Sequence, residues 1–179
     1  MHTPSTNPSR NFAIIGNVET TTEAEIKALV ARAHAVQKSW KKLSIHERVS
    51  YLEKAYGAFE KEKEPLARII AEEMGMPIRQ ARDEVGYGLL YFRWYLDNST
   101  EYLAPKITRE NEHEVHTVFY EPKGVIAAIT PWNYPFMLFT WACIQPLLAG
   151  NTVIWKISKE VILTGKYIEN IMKAALLPE

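Results

Sequence analysis

From Thr22 onward, apolar residues recur at helical intervals. Ile26, Leu29, Val30, Ala33 and Trp40 follow Thr22 and Glu25, which stand at capping-box spacing. One amphipathic helix is expected there. The signal repeats with Ser44 and Glu47, then Leu52, Ala55, Tyr56 and Phe59, with Lys and Glu filling the intervening positions. Pro65 suits the first turn of a third helix, and Gly75-Met76-Pro77 supplies its stop. A fourth helical pattern runs from Ile78 towards Tyr102, weakened by Gly86 and Gly88. No internal repeat links the four.

The period changes near His113. Val115, Thr117, Phe119 and Tyr120 are β-prone and predict a strand that ends at the turn signal Glu121-Pro122-Lys123-Gly124. Val125 to Ile129 is a short, wholly apolar run, as expected of a strand buried on both faces. Tyr134 to Leu148 predicts a buried helix that Gly150 ends, and Thr152 to Trp155 predicts another strand. Together they form a β-α-β unit, which places ligand-binding loops at the carboxyl ends of its strands. A last helix is expected near Leu163 to Leu177. The fold class is therefore α/β: amino-terminal helices with β-hairpin strands, then the first, incomplete part of a doubly wound sheet. Two parallel strands alone leave open edges, so such a chain is expected to be poorly stable or to need another chain.

Composition narrows the partners. Lys plus Arg and Asp plus Glu number 21 each over 179 residues, and no run of five like charges appears, which gives no electrostatic case for nucleic acid or anionic lipid. The single cysteine, Cys143, excludes an intramolecular disulfide and a cysteine-based zinc cage and fits a reducing compartment, with the cytoplasm as the default. The first ten residues lack the basic start and apolar stretch of a secretory signal and read as a flexible tail. The longest apolar stretches, Val125 to Ile129 and Phe136 to Ile144, are far below membrane-spanning length.

Candidate chemistry centres on Ile129-Thr130-Pro131-Trp132-Asn133, where the first parallel strand hands over to its helix. An asparagine amide there can donate to an oxygen that gains negative charge during reaction, and a helix amino terminus favours the same charge. Capping that helix is the plainer alternative for Asn133. Lys156 stands at the end of the second strand, where a solvated cation is equally expected. Cys143 lies ten residues beyond Asn133, about 15 Å along a helix, and reads as a packed apolar thiol. His113 and His116 belong to no recognisable metal pattern. Glu72 with Glu73, and Asp83 with Glu84, read as solvated helix faces. Trp94, Tyr95 and Tyr102 suit either interhelical packing or a hydrophobic entrance.

Three runs occur together in order: Glu121-Pro122-Lys123-Gly124-Val125-Ile126, Thr130-Pro131-Trp132-Asn133-Tyr134-Pro135, and Leu148-Ala149-Gly150-Asn151-Thr152-Val153-Ile154-Trp155-Lys156. In sequence and spacing they resemble the aldehyde dehydrogenase superfamily, and semialdehyde dehydrogenases in particular, over nearly the whole chain. After the flexible tail over 1–10, the resemblance implies a helical segment with β-hairpin strands that serve oligomerisation over 11–121 and a partial dinucleotide-binding domain over 122–179. It implies that Asn133 helps stabilise the oxyanion of a thiohemiacetal. It also implies that Lys156 contacts the ribose hydroxyls of NAD or NADP and that Ile129, Thr130, Pro131 and Trp132 pass beside that cofactor.

Two departures matter. After Lys156 the family continues with Pro, a small residue and Glu; here stand Ile157, Ser158 and Lys159. Lys159 in place of the ribose-binding acid would attract a 2′-phosphate and favour NADP, unless Glu160 shifts into the role. The family's glycine-containing cofactor turn, general-base glutamate and nucleophilic cysteine have no match before Glu179. The expectation is an amino-terminal part of an enzyme that oxidises an aldehyde to a carboxylic acid, inactive by itself. One alternative is one half of a split enzyme, completed by a separate carboxy-terminal chain that carries the cysteine and glutamate; a homo-oligomer is a further partner to expect. A non-catalytic cofactor-binding or interaction remnant is the other alternative.

Overall fold

The computed structural model describes residues 2–175. The expected flexible tail does not hold there: strand β1 (His2–Asn7) pairs antiparallel with β2 (Ala13–Glu19), from His2 opposite Glu19 to Asn7 opposite Ala13. The reason is polar anchoring. Ser5 and Asn7 are both buried, and Ser5 donates a 2.5 Å hydrogen bond to Glu73, so a stretch with no apolar signal is held by side chains remote in sequence.

Four helices follow, α1 (Glu23–Trp40), α2 (Ile45–Lys61), α3 (Lys63–Met74) and α4 (Ile78–Tyr102). Both capping boxes form, at Thr22/Glu25 and Ser44/Glu47. In α1 the expected apolar stripe is not buried: Ile26, Leu29 and Val30 stay exposed, and only Gln37 and Trp40 reach the interior. Polar bonds dock α1 instead. Trp40 Nε1 donates to the Leu147 carbonyl at 2.9 Å, and Thr152 Oγ1 donates to that of Ala33 at 3.0 Å. The two glycines do not interrupt α4. At Gly88 a Cβ would stand 2.4 Å from Cδ1 of Phe136, so glycine there allows two helices to touch.

Strands β3 (Lys106–Glu110) and β4 (Val115–Val118) form an antiparallel hairpin. The pairing stops two residues short of Tyr120, because Phe119 and Tyr120 find no strand opposite them and lie exposed. Strand β5 (Val125–Ile129) then runs parallel to β6 (Thr152–Lys156), with Val125 opposite Thr152 and Ile129 opposite Lys156. Contrary to the double-sided burial expected of its apolar run, only Ala128 of β5 is fully buried.

The connection between β5 and β6 is helical from Pro135 to Leu148 in three pieces: α5 (Pro135–Phe139), a π turn (Thr140–Ile144) and α6 (Gln145–Leu148). Pro146 lacks the N–H and the space that a regular α-helix needs at that position, and the wider turn before it accommodates the ring. Gly150, at φ +86°, ends the segment, and the Asn151 side chain accepts from Gly124 N–H at 2.9 Å and donates to the Pro146 carbonyl at 3.1 Å. One amide thus fixes the starts of both parallel strands. Helix α7 (Ile162–Ala174) closes the described chain; its expected extension to Leu177 lies outside the described residues. The core lies where α2, α3 and α4 meet the helical connection and α7, with Phe59 at its centre, 4.9 Å from the ring of Phe136 and 5.9 Å from that of Phe139.

Candidate functional site

The parallel pair positions the site. Because Ile129 is in register with Lys156, both strands end at one edge, and Thr130 N–H continues the ladder by donating to the Lys156 carbonyl at 3.2 Å. The Thr130 side chain is buried and its Oγ1 accepts from Trp155 Nε1 at 2.9 Å. Trp155 is itself wedged against Phe139, with ring centroids 4.8 Å apart. The loop therefore leaves the sheet from a fixed point.

Beyond it, Pro131, Trp132, Asn133 and Tyr134 are all exposed. Tyr134, not Asn133, is the residue that caps α5, and it makes no side-chain capping bond. Among the described residues the Asn133 amide has no hydrogen-bond partner. The capping alternative for Asn133 is thereby removed, and its donor faces solvent beside the strand ends.

The cap is supplied from elsewhere. Glu84, on α4, accepts at Oε1 from Phe136 N–H at 2.9 Å and from Met137 N–H at 2.8 Å. These are the N–H groups through which a helix end attracts anions, so α5 has little left to add to the Asn133 donor. Glu84 is 1% exposed, and burial pushes its carboxyl up to about 7 against the pull of the two amides. Glu73 is equally hidden and accepts from Leu163 N–H at 2.8 Å and Thr164 N–H at 2.6 Å at the start of α7.

Both acids overturn the solvated-face reading. A sequence signal existed: Glu73 falls in step with Leu66 and Ile70, and Glu84 with Ala81 and Gly88, on stripes that are otherwise apolar or small.

Ile129 is 75% exposed and Trp132 51%, so the edge carries apolar surface. Lys156 is exposed and has no ion-pair partner among the described residues. Lys159 opens the 3₁₀ turn Lys159–Val161 just after β6, and its ammonium lies 3.7 Å from Glu160. The structure thus brings Ile129, Thr130 and Lys156 to one edge, with Asn133 on the adjoining loop and Lys159 on the turn that follows.

Cys143 sits inside the π turn, buried, and burial pushes its thiol up to about 12. It is packed as the sequence suggested. His116 contacts Glu114 at 3.3 Å on the β3–β4 hairpin. Trp94, Tyr95 and Tyr102 all lie on α4, and their rings contact one another along that helix instead of packing between helices; Tyr95 also reaches across, accepting from Gln145, and with Gln145 and Leu148 the three line a groove of about 210 Å³.

A sequence model of the aldehyde dehydrogenase family matches residues 1–179. The chain belongs to that family. It is 29% identical over 175 residues to the 1-pyrroline-5-carboxylate dehydrogenase of Staphylococcus epidermidis, a match covering 98% of this chain and 34% of that protein. With the mitochondrial succinate-semialdehyde dehydrogenase of Rattus norvegicus it shares 30% identity over 179 residues, again 98% of this chain and 34% of the other.

Solved structures agree. An aldehyde dehydrogenase from Brucella melitensis biovar abortus superposes with a TM-score of 0.92 at 27% identity, covering 99% of this chain and 37% of that one. The NADP-dependent glyceraldehyde-3-phosphate dehydrogenase of Bacillus halodurans, complexed with NADP, gives 0.92 at 26% identity, over 100% and 38%. The chain spans about a third of the length of the curated relatives it matches, and it is an amino-terminal portion of the aldehyde dehydrogenase fold. No described helix is long and apolar enough to cross a membrane.

Proposed function

We propose that these residues supply the oxyanion donor and part of the cofactor-binding edge of an NAD(P)-dependent aldehyde dehydrogenase. The complete enzyme would oxidise an aldehyde to a carboxylic acid. The observation that carries this is the Asn133 amide, without a hydrogen-bond partner among the described residues, on the loop after β5 beside the carboxyl ends of the two parallel strands. Such a donor stabilises a carbonyl oxygen more as negative charge develops on it than in the ground state, and its removal typically lowers kcat by about 10²–10³.

The edge suits a nicotinamide dinucleotide in part. Exposed Ile129 and Trp132 offer surface for a flat ring, Thr130 and Pro131 line the same passage, and the Lys156 ammonium can donate to ribose hydroxyls. The bound dinucleotide supplies the hydride acceptor. Lys159 bears a charge that would favour a 2′-phosphate, which supports NADP, though its contact with Glu160 opposes that preference.

Buried Cys143, its thiol pushed up to about 12, is unsuited to be the nucleophile. The nucleophilic cysteine and the general base would come from sequence outside these 179 residues, either a continuation of the chain or a complementing carboxy-terminal partner. The open edges of the β5–β6 pair favour such completion, in a homo-oligomer or a split enzyme of the cytoplasm.

Two measurements test the reading. Calorimetric titration of the folded chain with NAD⁺ and NADP⁺ should show saturable binding that Lys156→Ala weakens, with Lys159→Glu shifting preference towards NAD⁺. Co-expression with a family carboxy-terminal chain carrying the cysteine and glutamate should yield aldehyde oxidation that Asn133→Ala reduces about 10²-fold or more. Failure of both dinucleotides to bind, together with no activity on completion, would leave a remnant with no part in aldehyde oxidation.

A further inference from the structure

The stretch Pro131 to Tyr134 is exposed along its whole length, and the Asn133 side chain makes no hydrogen bond among the described residues. Its placement is therefore set by its two ends. One end is tied to the sheet through Thr130, by its N–H to Lys156 and its Oγ1 to Trp155. The other is tied to α4 through Glu84, which lies 52 residues before Phe136 in the chain.

We infer that Glu84 is a positioning residue for the Asn133 amide: by holding the first N–H groups of α5 from a separate helix, it fixes where the loop points. The inference rests on Asn133 being the oxyanion donor.

A remote carboxylate does something a local cap cannot. Ser, Thr or Asp at position 134 would satisfy the same N–H groups for about 1 kcal/mol, but it would move with the loop and fix it to nothing. Glu84 stands on a 25-residue helix whose neighbouring Ala81 and Val85 are buried, so its oxygen is as immobile as the core. One turn further on, Gly88 presses against the Phe136 ring, which makes a second attachment of α5 to the same face of α4.

Burying a carboxylate costs several kcal/mol before its bonds are counted. Here only one of its oxygens is used, and Oε2 is buried without a partner among the described residues. That arrangement is a poor source of stability and a good anchor.

Nuclear magnetic resonance on the full chain tests this, and the ionisation of Glu84 serves as the probe. Histidine, the residue type that ordinarily titrates near neutrality, occurs on none of α4, the loop or α5; His2, His34, His46, His113 and His116 lie on other segments. Burial raises the Glu84 carboxyl, and the hydrogen bonds from Met137 and Phe136 N–H pull it back.

In the natural chain, the backbone amides of Phe136 and Met137 and the side-chain amide of Asn133 should follow one titration curve. Glu84→Gln keeps the length and an acceptor oxygen, so it should abolish all three titrations while Phe136 and Met137 stay protected from exchange. Glu84→Ala should speed exchange at those two amides about tenfold or more and shift the Asn133 side-chain signal towards that of an unstructured amide.

If Phe136 and Met137 titrate while Asn133 does not, Glu84 is a cap and nothing more. An Asn133 signal unmoved in Glu84→Ala would overturn the inference in the same way. Should Glu84→Ala fail to fold, the natural chain and Glu84→Gln still decide it. Neither dinucleotide nor aldehyde enters these measurements, so their failure is separate from failure of the proposed activity.

Discussion

Replacing Glu73 by alanine should remove about 2–4 kcal/mol of stability. Its carboxylate accepts from Ser5 at 2.5 Å, Leu163 N–H at 2.8 Å and Thr164 N–H at 2.6 Å, and so joins β1, α3 and the start of α7. Ser5 and Thr164 are buried, and each would lose its acceptor at about 1–3 kcal/mol; half-buried Leu163 can turn to water at a smaller penalty. Against this stands the relief of desolvating a carboxylate, which cancels part of the loss.

Glu73→Gln is the informative companion. In either orientation its NH₂ group faces a backbone N–H, so one bond is lost and two are kept, and about half the penalty is expected. Urea unfolding followed by tryptophan fluorescence would report both, with an unchanged m-value showing that the midpoint shift is a change in stability. Hydrogen exchange should quicken first at Leu163 and Thr164. A Glu73→Ala midpoint within about 0.5 kcal/mol of the natural chain would refute the reasoning, and so would a Glu73→Gln loss equal to that of alanine.

Gly88→Ala should destabilise by about 1–3 kcal/mol despite alanine's better helix propensity, because its Cβ meets the immobile Phe136 ring at 2.4 Å. Gly86→Ala, with nothing within 4 Å, should instead stabilise by up to about 1 kcal/mol, and paired urea melts separate the two. Cys143 should resist alkylation at pH 8 in the native chain and react only once denaturant is added; rapid native labelling would contradict its burial.

Glu84 gives a pH dependence of definite sign. Its folded pKa, about 7, lies above the ordinary carboxylate value, so the native state binds the proton more tightly than the unfolded chain does. Stability from this group is present in acid and falls as pH rises from about 4.5 towards 7, by about 3 kcal/mol in all. Glu84→Gln should flatten that part of the stability profile; an unchanged slope would show that another group causes it.

The helices were legible because their signals are local. Thr22/Glu25 and Ser44/Glu47 cap within three residues, and both boxes form as read. The β-α-β unit was legible because its turn residues act on near neighbours, as Asn151 does on Pro146.

What escaped depends on distant partners. Nothing within His2–Asn7 foretells a strand, because its anchor is Glu73, 68 residues beyond Ser5. Adjacent acids look solvated when each is judged by its charge; their step in the apolar stripe would have placed one member of each pair inside. At the site, position was readable and partnership was not. The sequence put Asn133 beside a helix start but could not show that the cap there belongs to Glu84.

The two buried acids also impose an order on synthesis. When Glu73 and Glu84 leave the ribosome, the N–H groups they will accept from, at Phe136, Met137, Leu163 and Thr164, have not yet been made. Until they arrive, closing α3 and α4 around either carboxyl leaves it without those donors, so it must keep water or take up a proton. The amino-terminal helices are therefore expected to stay loosely associated until residues some 50 to 90 positions later emerge. The helical half is then expected to finish its packing only as the parallel pair and the start of α7 form.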